Sequence, residues 1–462
     1  MSATAARQLA EFCRALSWSA LGQSTRDRTT ELLLDHIGVT LAGYDEASSI
    51  SVRSSLAHLG APGPSSIIGS RLRTQPSWAA LVNGTTSHAI EMDDCERVSS
   101  LHPGASVIPA ALAVAEEVDA TSVALLEAVV AGYEVTIRAG SALGPSSAYR
   151  RGFHPTGVAG VFGAAMAAGL LLGHDATTLT SGLGVAGGMA AGSLEYLTDG
   201  SWTKRLAPGW AAHAGIVSAR LAAAGFLGPA SVFEGPHGFL HAYGDSGEPA
   251  LLLAGLGGSM GIDRVAIKAH AGCRYTHGLV DCMIQLREDY GLQPDEVERI
   301  DLRVLSIGSE LVAEPIERKR HPRTVVDAQF SAPFAVAIAL VHGRASRSEF
   351  SAANLADPRV RHLMVRTSCH RDPALDALYP EGMPARVVVR LRSGRELEAS
   401  LTYPSGEPEN PVGRPAMLAR FVEFATPRLG GRRAARVASE LLAFDEQGDV
   451  RGLVRRLAPA KP

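Results

Sequence analysis

Residues 157–173 read GVAGVFGAAMAAGLLLG, and the reading of this stretch decides the fold. It is the most apolar run in the chain, and it is rich in Ala and Gly. A membrane span needs about 20 strongly apolar residues. The stretch is shorter and its side chains are small, so it is read as a buried helix. Two neighbours share its character: residues 104–117 and 211–225 are also Ala-rich. Small side chains let helix backbones approach closely. A fourth segment carries Leu126, Val130, Tyr133 and Ile137 at i, i+4, i+7 and i+11, the stripe of one helix face. Upstream, Leu33, Ile37 and Leu41 recur at helical spacing. Ser24 opens a capping-box-like S-x-x-D before them, and Gly43 follows as a stop. Residues 1–266 contain no convincing period-2 strand and no fixed-period repeat.

Beyond residue 266 the periodicity changes. Ile300, Leu302 and Val304 alternate with Arg299, Asp301 and Arg303. Val387, Val389 and Leu391 alternate with Arg386, Val388 and Arg390. A Ser393-Gly394 turn follows, then Leu397, Ala399 and Leu401 alternate with Glu396, Glu398 and Ser400. This predicts a hairpin with one buried face. The segments 297–304, 386–392 and 396–402 are expected to share one sheet, with a helix at 331–342 between them. A Pro-rich connection, PSGEPENPVGRP, then leads to helices near 415–424 and 431–443. The predicted fold is mostly α. A large all-helical domain (1–266) carries an inserted smaller α+β lid domain (267–403), and C-terminal helices (404–462) return to the helical domain.

Composition bounds the function. The chain has 462 residues, enough for two or three domains, with 46% hydrophobic and 20% charged residues. The net charge, 44 − 47 = −3, lacks the basic surplus that nucleic-acid binding requires. Five cysteines are too sparse for a disulfide framework, and Cys273 and Cys282 fit no zinc or iron–sulfur spacing. A reducing, cytoplasmic setting is expected. The N-terminal stretch MSATAARQLAEFCRAL has no apolar signal-peptide core. Of the 44 basic residues only Lys204, Lys268, Lys319 and Lys461 are lysines. A bias that replaces exchangeable lysines by arginine leaves survivors where a compact ammonium is needed. Lys461 is in the tail, and Lys319 lies in the charged run ERKRH. Lys204 and Lys268 sit in mixed or apolar surroundings and are the candidates.

Two familiar motifs fail on context. Gly182, Gly184 and Gly187 spell G-x-G-x-x-G, but the segment before them is helical; close helix packing is the better reading. Gly257-Gly258-Ser259-Met260-Gly261 fits G-x-S-x-G without the strand and helix a nucleophile elbow needs. Four other segments collect polar chemistry between apolar helices. HAIEMDDCERVSSLHPG carries Glu91, Asp93, Cys95 and His102. YRRGFHPTG carries His154, the second His-Pro at a helix start. LEYLTDGSWTKRLAPGWAAHAG carries Lys204. IKAHAGCRYTH carries Lys268, Arg274, Tyr275 and His277, where helical character gives way to mixed.

Taken together and in order, these segments resemble the MmgE/PrpD family, which includes 2-methylcitrate dehydratase, cis-aconitate decarboxylase and iminodisuccinate epimerase. The resemblance covers nearly the whole chain. It rests on LVNGTTSHAIEMDD, LHPGASVIPAALA, FHPTGVAGVFGAA, DGSWTKRLAPGWAAHAG, VFEGPHGFLHAYGD, CRYTH and AQFSAPF. It implies a helical domain built from both chain ends, an α+β lid and a site between them. It also implies a homodimer, and no metal or organic cofactor. The family's site then falls on Glu91, Cys95, His102, His154, Lys204, Lys268 and Phe334. Relatives similar to cis-aconitate decarboxylase have Asp where Glu91 stands, Thr at Cys95 and Tyr at Phe334, and commonly His at Ala207.

The substrates implied by the resemblance are small di- and tricarboxylates. Lys204 and Lys268, with Arg274, offer fixed cations for them. Histidine suits both proton abstraction and proton donation near neutral pH, so His102 and His154 are the acid and base candidates. Glu91, Asp93, Cys95, Tyr275, His277 and Phe334 complete the expected substrate-binding set. The leading expectation is cofactor-independent dehydration of a 2-methylcitrate-like substrate. Decarboxylation or epimerisation on the same scaffold is the alternative, and a non-catalytic carboxylate-binding paralogue is a distant one.

Overall fold

A computed structural model describes residues 4–459, the side chain of Gln447 excepted; Lys461 lies outside the described residues. The helical part is led by α1 (Gln23–Gly43), α2 (Pro76–Ser87), α3 (Gly104–Val118), α4 (Ser122–Leu143), α5 (Pro155–Leu171) and α6 (Thr203–Ala223). The 157–173 stretch accordingly forms most of α5, buried through its first four turns. No described helix is long and apolar enough to cross a membrane. Pro155 at the first position sets φ for helix entry where no N–H is needed. Glycines bring α2, α5 and α6 together. A Cβ on Gly209 of α6 would lie 2.8 Å from the Thr85 nitrogen in α2, and one on Gly215 would lie 2.7 Å from the Ala165 nitrogen in α5.

Two expectations for this part need correction. Ser24 is not a cap: α1 starts at Gln23 with Gly22 as N-cap and no side-chain cap bond, so Ser24 already lies in the first turn. Strand pairing is also present, as two-residue antiparallel ladders, Ser65–Ser66 with Arg73–Thr74 and Cys95–Glu96 with Val265–Ala266. Two residues are too few to show alternation. The second ladder matters, because it ties the loop after α2 to the segment that carries Lys268.

The segment expected to form the lid opens with α7 (His277–Tyr290) and β1 (Val297–Val304), followed by the short helices α8 (Ile316–Arg320) and α9 (Val325–Gln329), then α10 (Ala332–His342). β2 (Thr367–Arg371), β3 (Ala385–Leu391) and β4 (Glu396–Leu401) complete one four-stranded sheet in the order β2-β1-β3-β4. β3 and β4 pair as the predicted hairpin, with Val387 opposite Ala399 and Val389 opposite Leu397. Ile300, Leu302, Val387, Val389, Leu397 and Ala399 are buried with α7 and α10 in one apolar cluster. β2, reading TSCHR, runs parallel to β1 and has no hydrophobic alternation to announce it.

Near the C-terminus, α11 (Arg414–Leu429) and α12 (Gly431–Leu442) place Met417, Phe421, Val437 and Leu441 in the same core as Leu33, Ile37 and Leu126. Arg420 of α11 donates to the Lys268 carbonyl and pairs with Asp35 of α1. The chain's end thus fixes the backbone of a site residue.

Candidate active site

The loop between α2 and α3 is the centre. α2 ends at Ser87, and His88 is its C-cap. Three residues on, Glu91 adopts φ 56°, the left-handed region that side-chain-bearing residues visit at a cost of roughly 1–3 kcal/mol. The turn is held from both sides. The Glu91 carbonyl accepts from the Gly272 N–H and from the Lys268 ammonium, each at 3.1 Å. The turn aims the Glu91 carboxylate between two lysines: one oxygen takes Lys204 Nζ and the other lies 3.4 Å from Lys268 Nζ. Lys204 also donates to His88 Nε2 at 2.8 Å. An ammonium can only donate, so His88 Nε2 is the acceptor. Its Nδ1–H is then left for Asp93 Oδ2, 2.7 Å away. The result is a continuous buried chain, Asp93–His88–Lys204–Glu91–Lys268, with every member at most 4% exposed.

The two histidines from the His-Pro dipeptides stand beside it. His102 Nδ1 lies 2.7 Å from the Asp94 carbonyl, which only accepts; Nδ1 therefore carries the proton, and Nε2 holds the lone pair. Among the described residues nothing hydrogen-bonds to that Nε2. His154 is the N-cap residue of α5, and its buried Nδ1 has no hydrogen-bond partner either. Their ring centres are 6.4 Å apart, and His88 lies 4.9 Å from His102 and 6.0 Å from His154. Tyr196 meets His154 edge-on at 6.2 Å, and the Phe330 ring lies 5.2 Å from Lys204 Nζ.

The charges balance. Burial opposes ionisation of Glu91, but Lys204 and Lys268 outweigh it and hold the carboxyl well below its usual range. Burial likewise opposes ionisation of Asp93, and the hydrogen bond from His88 Nδ1–H, with the Lys268 ammonium nearby, holds its carboxyl below the usual range. Lys268 keeps its proton because Glu91 and Asp93 exceed the burial penalty, whereas for Lys204 burial dominates and the pKa falls. Burial pushes both His102 and His154 well below the usual imidazole range, with nearby cations adding to it. Two ammonium and two carboxylate charges thus cancel, beside two neutral imidazoles that have free nitrogens.

Ligand atoms of His88, Glu91 and His102 lie within 4.8 Å of one another, a spacing a metal could use. However, the Lys204 ammonium sits on both the Glu91 oxygen and the His88 nitrogen, and supplies the positive charge at that point. These donors do not fit a metal while Lys204 is in place.

Of the residues singled out in the sequence, Glu91, Asp93, His102, His154, Lys204 and Lys268 converge here. Cys95 is buried in the ladder opposite Ala266, its thiol pushed up by burial. Arg274 and His277 lie apart from the chain of charges. Arg274 pairs with the buried Glu407 and contacts His277 Nδ1 at 2.9 Å. The Tyr275 hydroxyl joins Tyr149 through Ser100. Phe334 is fully buried in the lid core, 5.5 Å from Phe350. Sequence reasoning misses His88, and it reads Asp94 only as one of the acids clustered with Glu91 and Asp93. His88 stands three residues before Glu91 in a quoted segment, but it reads there as the end of a helix. Asp94 accepts from the Tyr133 hydroxyl at 2.6 Å and from the Gly104 N–H at 3.1 Å, which docks α3 on the loop.

The MmgE/PrpD N-terminal domain model matches residues 7–252, and the MmgE/PrpD C-terminal domain model matches residues 270–445. The chain belongs to the MmgE/PrpD family. Within it, the chain is 26% identical over 468 residues to the cis-aconitate decarboxylase-like protein oryM of Aspergillus oryzae, covering 97% of this chain and 96% of that one. It is also 26% identical to the cis-aconitate decarboxylase of Aspergillus terreus over 93% of this chain and 91% of that one. For the Homo sapiens cis-aconitate decarboxylase the identity is again 26%, over 75% of this chain and 72% of that one. Four members of the charged chain, His88, Glu91, Asp93 and Lys204, lie in the N-terminal domain and Lys268 in the short segment between the two domains, while Gly272 of the C-terminal domain holds the Glu91 carbonyl through its N–H.

Proposed function

We propose that this chain is a carboxy-lyase acting on a small polycarboxylate of the cis-aconitate kind. The observation that carries the reading is the pairing of two buried lysines with two neutral histidines whose free nitrogens have no partner among the described residues. The names of the relatives favour decarboxylation over the dehydration expected from sequence. In this reading, incoming carboxylates are met by Lys204 and Lys268, and Glu91 is displaced from at least one of them. The added negative charge raises the histidine pKa values, so one imidazole takes up a proton. The bond to one carboxylate carbon then breaks and CO2 leaves. Its electron pair stays on the substrate carbon, where conjugation to a neighbouring carboxylate held by a lysine spreads the charge. His102 or His154 donates its proton to that carbon and is reprotonated from solvent, so one carboxylate and one proton become CO2 and a new C–H bond.

The test is incubation of purified protein with cis-aconitate and with 2-methylcitrate, followed by NMR and CO2 measurement. Loss of CO2 from cis-aconitate is expected. Loss of water from 2-methylcitrate without CO2 would restore the dehydratase reading. His102→Ala and His154→Ala should each lower kcat by roughly 10²–10⁴, while polycarboxylate binding largely persists. Lys268→Arg should also damage turnover, because a planar guanidinium does not fit an enclosed ammonium site. Full turnover in a folded Lys268→Arg protein would tell against the site.

A further inference from the structure

A second place in the molecule collects positive charge with too few acids to meet it. An open groove of ≈540 Å³ lies in the C-terminal domain, walled by the last turns of α7 and α10, the turn before β1, the helix Pro358–Val365 and the residue after β3. That volume is usual for a small-molecule site, about 300–1,000 Å³. Leu340, Val341, Pro294 and Pro358 give it apolar walls. The groove shares no residue with the charged chain, and α10 separates the two. The groove lies at the C-terminal end of that helix, whereas Phe330, just before its N-terminal end, faces Lys204. The 11 residues of α10 span about 16 Å, so the groove is a site apart from the lysines and histidines.

Its donors are largely unpartnered. Arg287 lies against the end of α10, where a Cβ on Gly343 would be 2.5 Å from its Nη1, and it makes no hydrogen bond or ion pair among the described residues. Of its guanidinium, Arg392 uses only Nε, on the Asp295 carbonyl at 2.9 Å, which leaves both Nη atoms free. His362 Nδ1 lies 3.1 Å from Arg366 Nη1. A guanidinium only donates, so Nδ1 accepts and the imidazole proton is on Nε2, which has no partner among the described residues. Burial, Arg366 and Arg392 lower the His362 pKa, so the ring stays neutral in that tautomer. One uncommitted acid stands against these donors, the exposed Asp295, since Asp357 is paired with Arg359 at 2.8 Å.

We propose that this groove binds a phosphate monoester with a compact apolar body, such as a nucleoside monophosphate. Arg287, Arg392 and the His362 Nε2–H come from three separate elements around one groove. Donors on three sides match the three terminal oxygens of a phosphate better than the two of a carboxylate, and a guanidinium fork suits a phosphate dianion. The apolar walls then take the body of the ligand. The site is independent of the polycarboxylate reading above.

Calorimetry on the full chain tests it, with AMP, adenosine and inorganic phosphate as probes. AMP is expected to bind with a Kd below about 1 mM, and adenosine and phosphate each at least about tenfold more weakly, because each keeps only part of the contacts. Arg287→Gln and Arg392→Gln should each weaken AMP about tenfold, as for loss of a charge-assisted hydrogen bond, and either one decides the matter if the other does not fold. Asp295→Asn should instead tighten AMP about two- to threefold, a gain that loss of a merely structural residue does not give. Lys268→Arg should leave AMP affinity unchanged. No AMP binding by the wild type at millimolar concentration, or unchanged AMP affinity in the folded arginine variants, would overturn the site. Loss of AMP binding in folded Lys268→Arg would place the ligand at the charged chain and overturn it equally. Phosphate binding as tightly as AMP would overturn the ligand class, because the apolar walls would then contribute nothing.

Discussion

Glu91 is the residue on which both buried lysines converge, and its backbone is in a conformation that glycine would adopt more easily. The site thus accepts local strain to point a carboxylate inward, and His88 sets the direction of one partner. His88 is fully buried, so we treat it as a positioning residue. Removing its ring leaves the Asp93 carboxylate and one Lys204 hydrogen without a partner. His88→Ala is expected to lower kcat about 10–100-fold and shift the pH profile, since an unpaired buried polar group costs about 1–3 kcal/mol. His88→Gln, which can still bridge Asp93 and Lys204, should recover part of the rate. A melting-temperature loss with normal turnover of the folded fraction would mean the ring only supports packing. Lysine scarcity makes Lys204 and Lys268 legible in the sequence. The same argument applies to Lys319, but its charged neighbours along the chain point to a solvated side chain, and the wall that encloses it, Tyr196 and Phe330, comes from elsewhere.

At the scale of elements, stripes and His-Pro starts locate α1, α4, α5 and the helices at the end of the chain, because apolar spacing is a local property. The start of α1 is misread from sequence, since Ser24 and Asp27 have cap spacing without cap geometry. β2 escapes the sequence because its pairing with β1 is made through the backbone. How closely α6 approaches α2 depends on Gly209 and Gly84, which face each other across the crossing. Gly209→Ala would press a methyl into the Leu81 carbonyl and Thr85 and push apart the helices that carry Lys204 and lead to Glu91. Overpacking of this kind costs typically about 1–3 kcal/mol. We expect a lower melting temperature in Gly209→Ala, and a larger fractional loss of turnover than truncation of its exposed neighbour, Trp210→Ala, would give. Equal stability and rate in Gly209→Ala would show that the crossing can relax.

For the whole molecule, Asp94 links stability to pH. Burial raises its pKa to about 8, beyond what the bonds from Tyr133 and Gly104 recover. The unfolded chain would titrate it near the ordinary value of about 3.9. Between those values the folded state binds more protons, so this group's contribution is full below about pH 4 and declines as pH rises towards 8. Asp94→Asn should therefore lose less melting temperature than wild type between pH 6 and 9, by an amount on the order of a few degrees; parallel curves would remove Asp94 as the cause. At this scale the limits of the sequence are physical. By itself it determined the mostly α class, the hairpin in the lid and the residue types of the site, because periodicity and side-chain chemistry are carried by neighbours along the chain. Only the tertiary structure decided that His88 bridges Asp93 and Lys204, that Arg274 is bound to Glu407 and Phe334 lies in the lid core, and that Lys319 is enclosed. Each of these depends on which distant segment supplies the opposing wall, and on the charge that wall brings into a buried space.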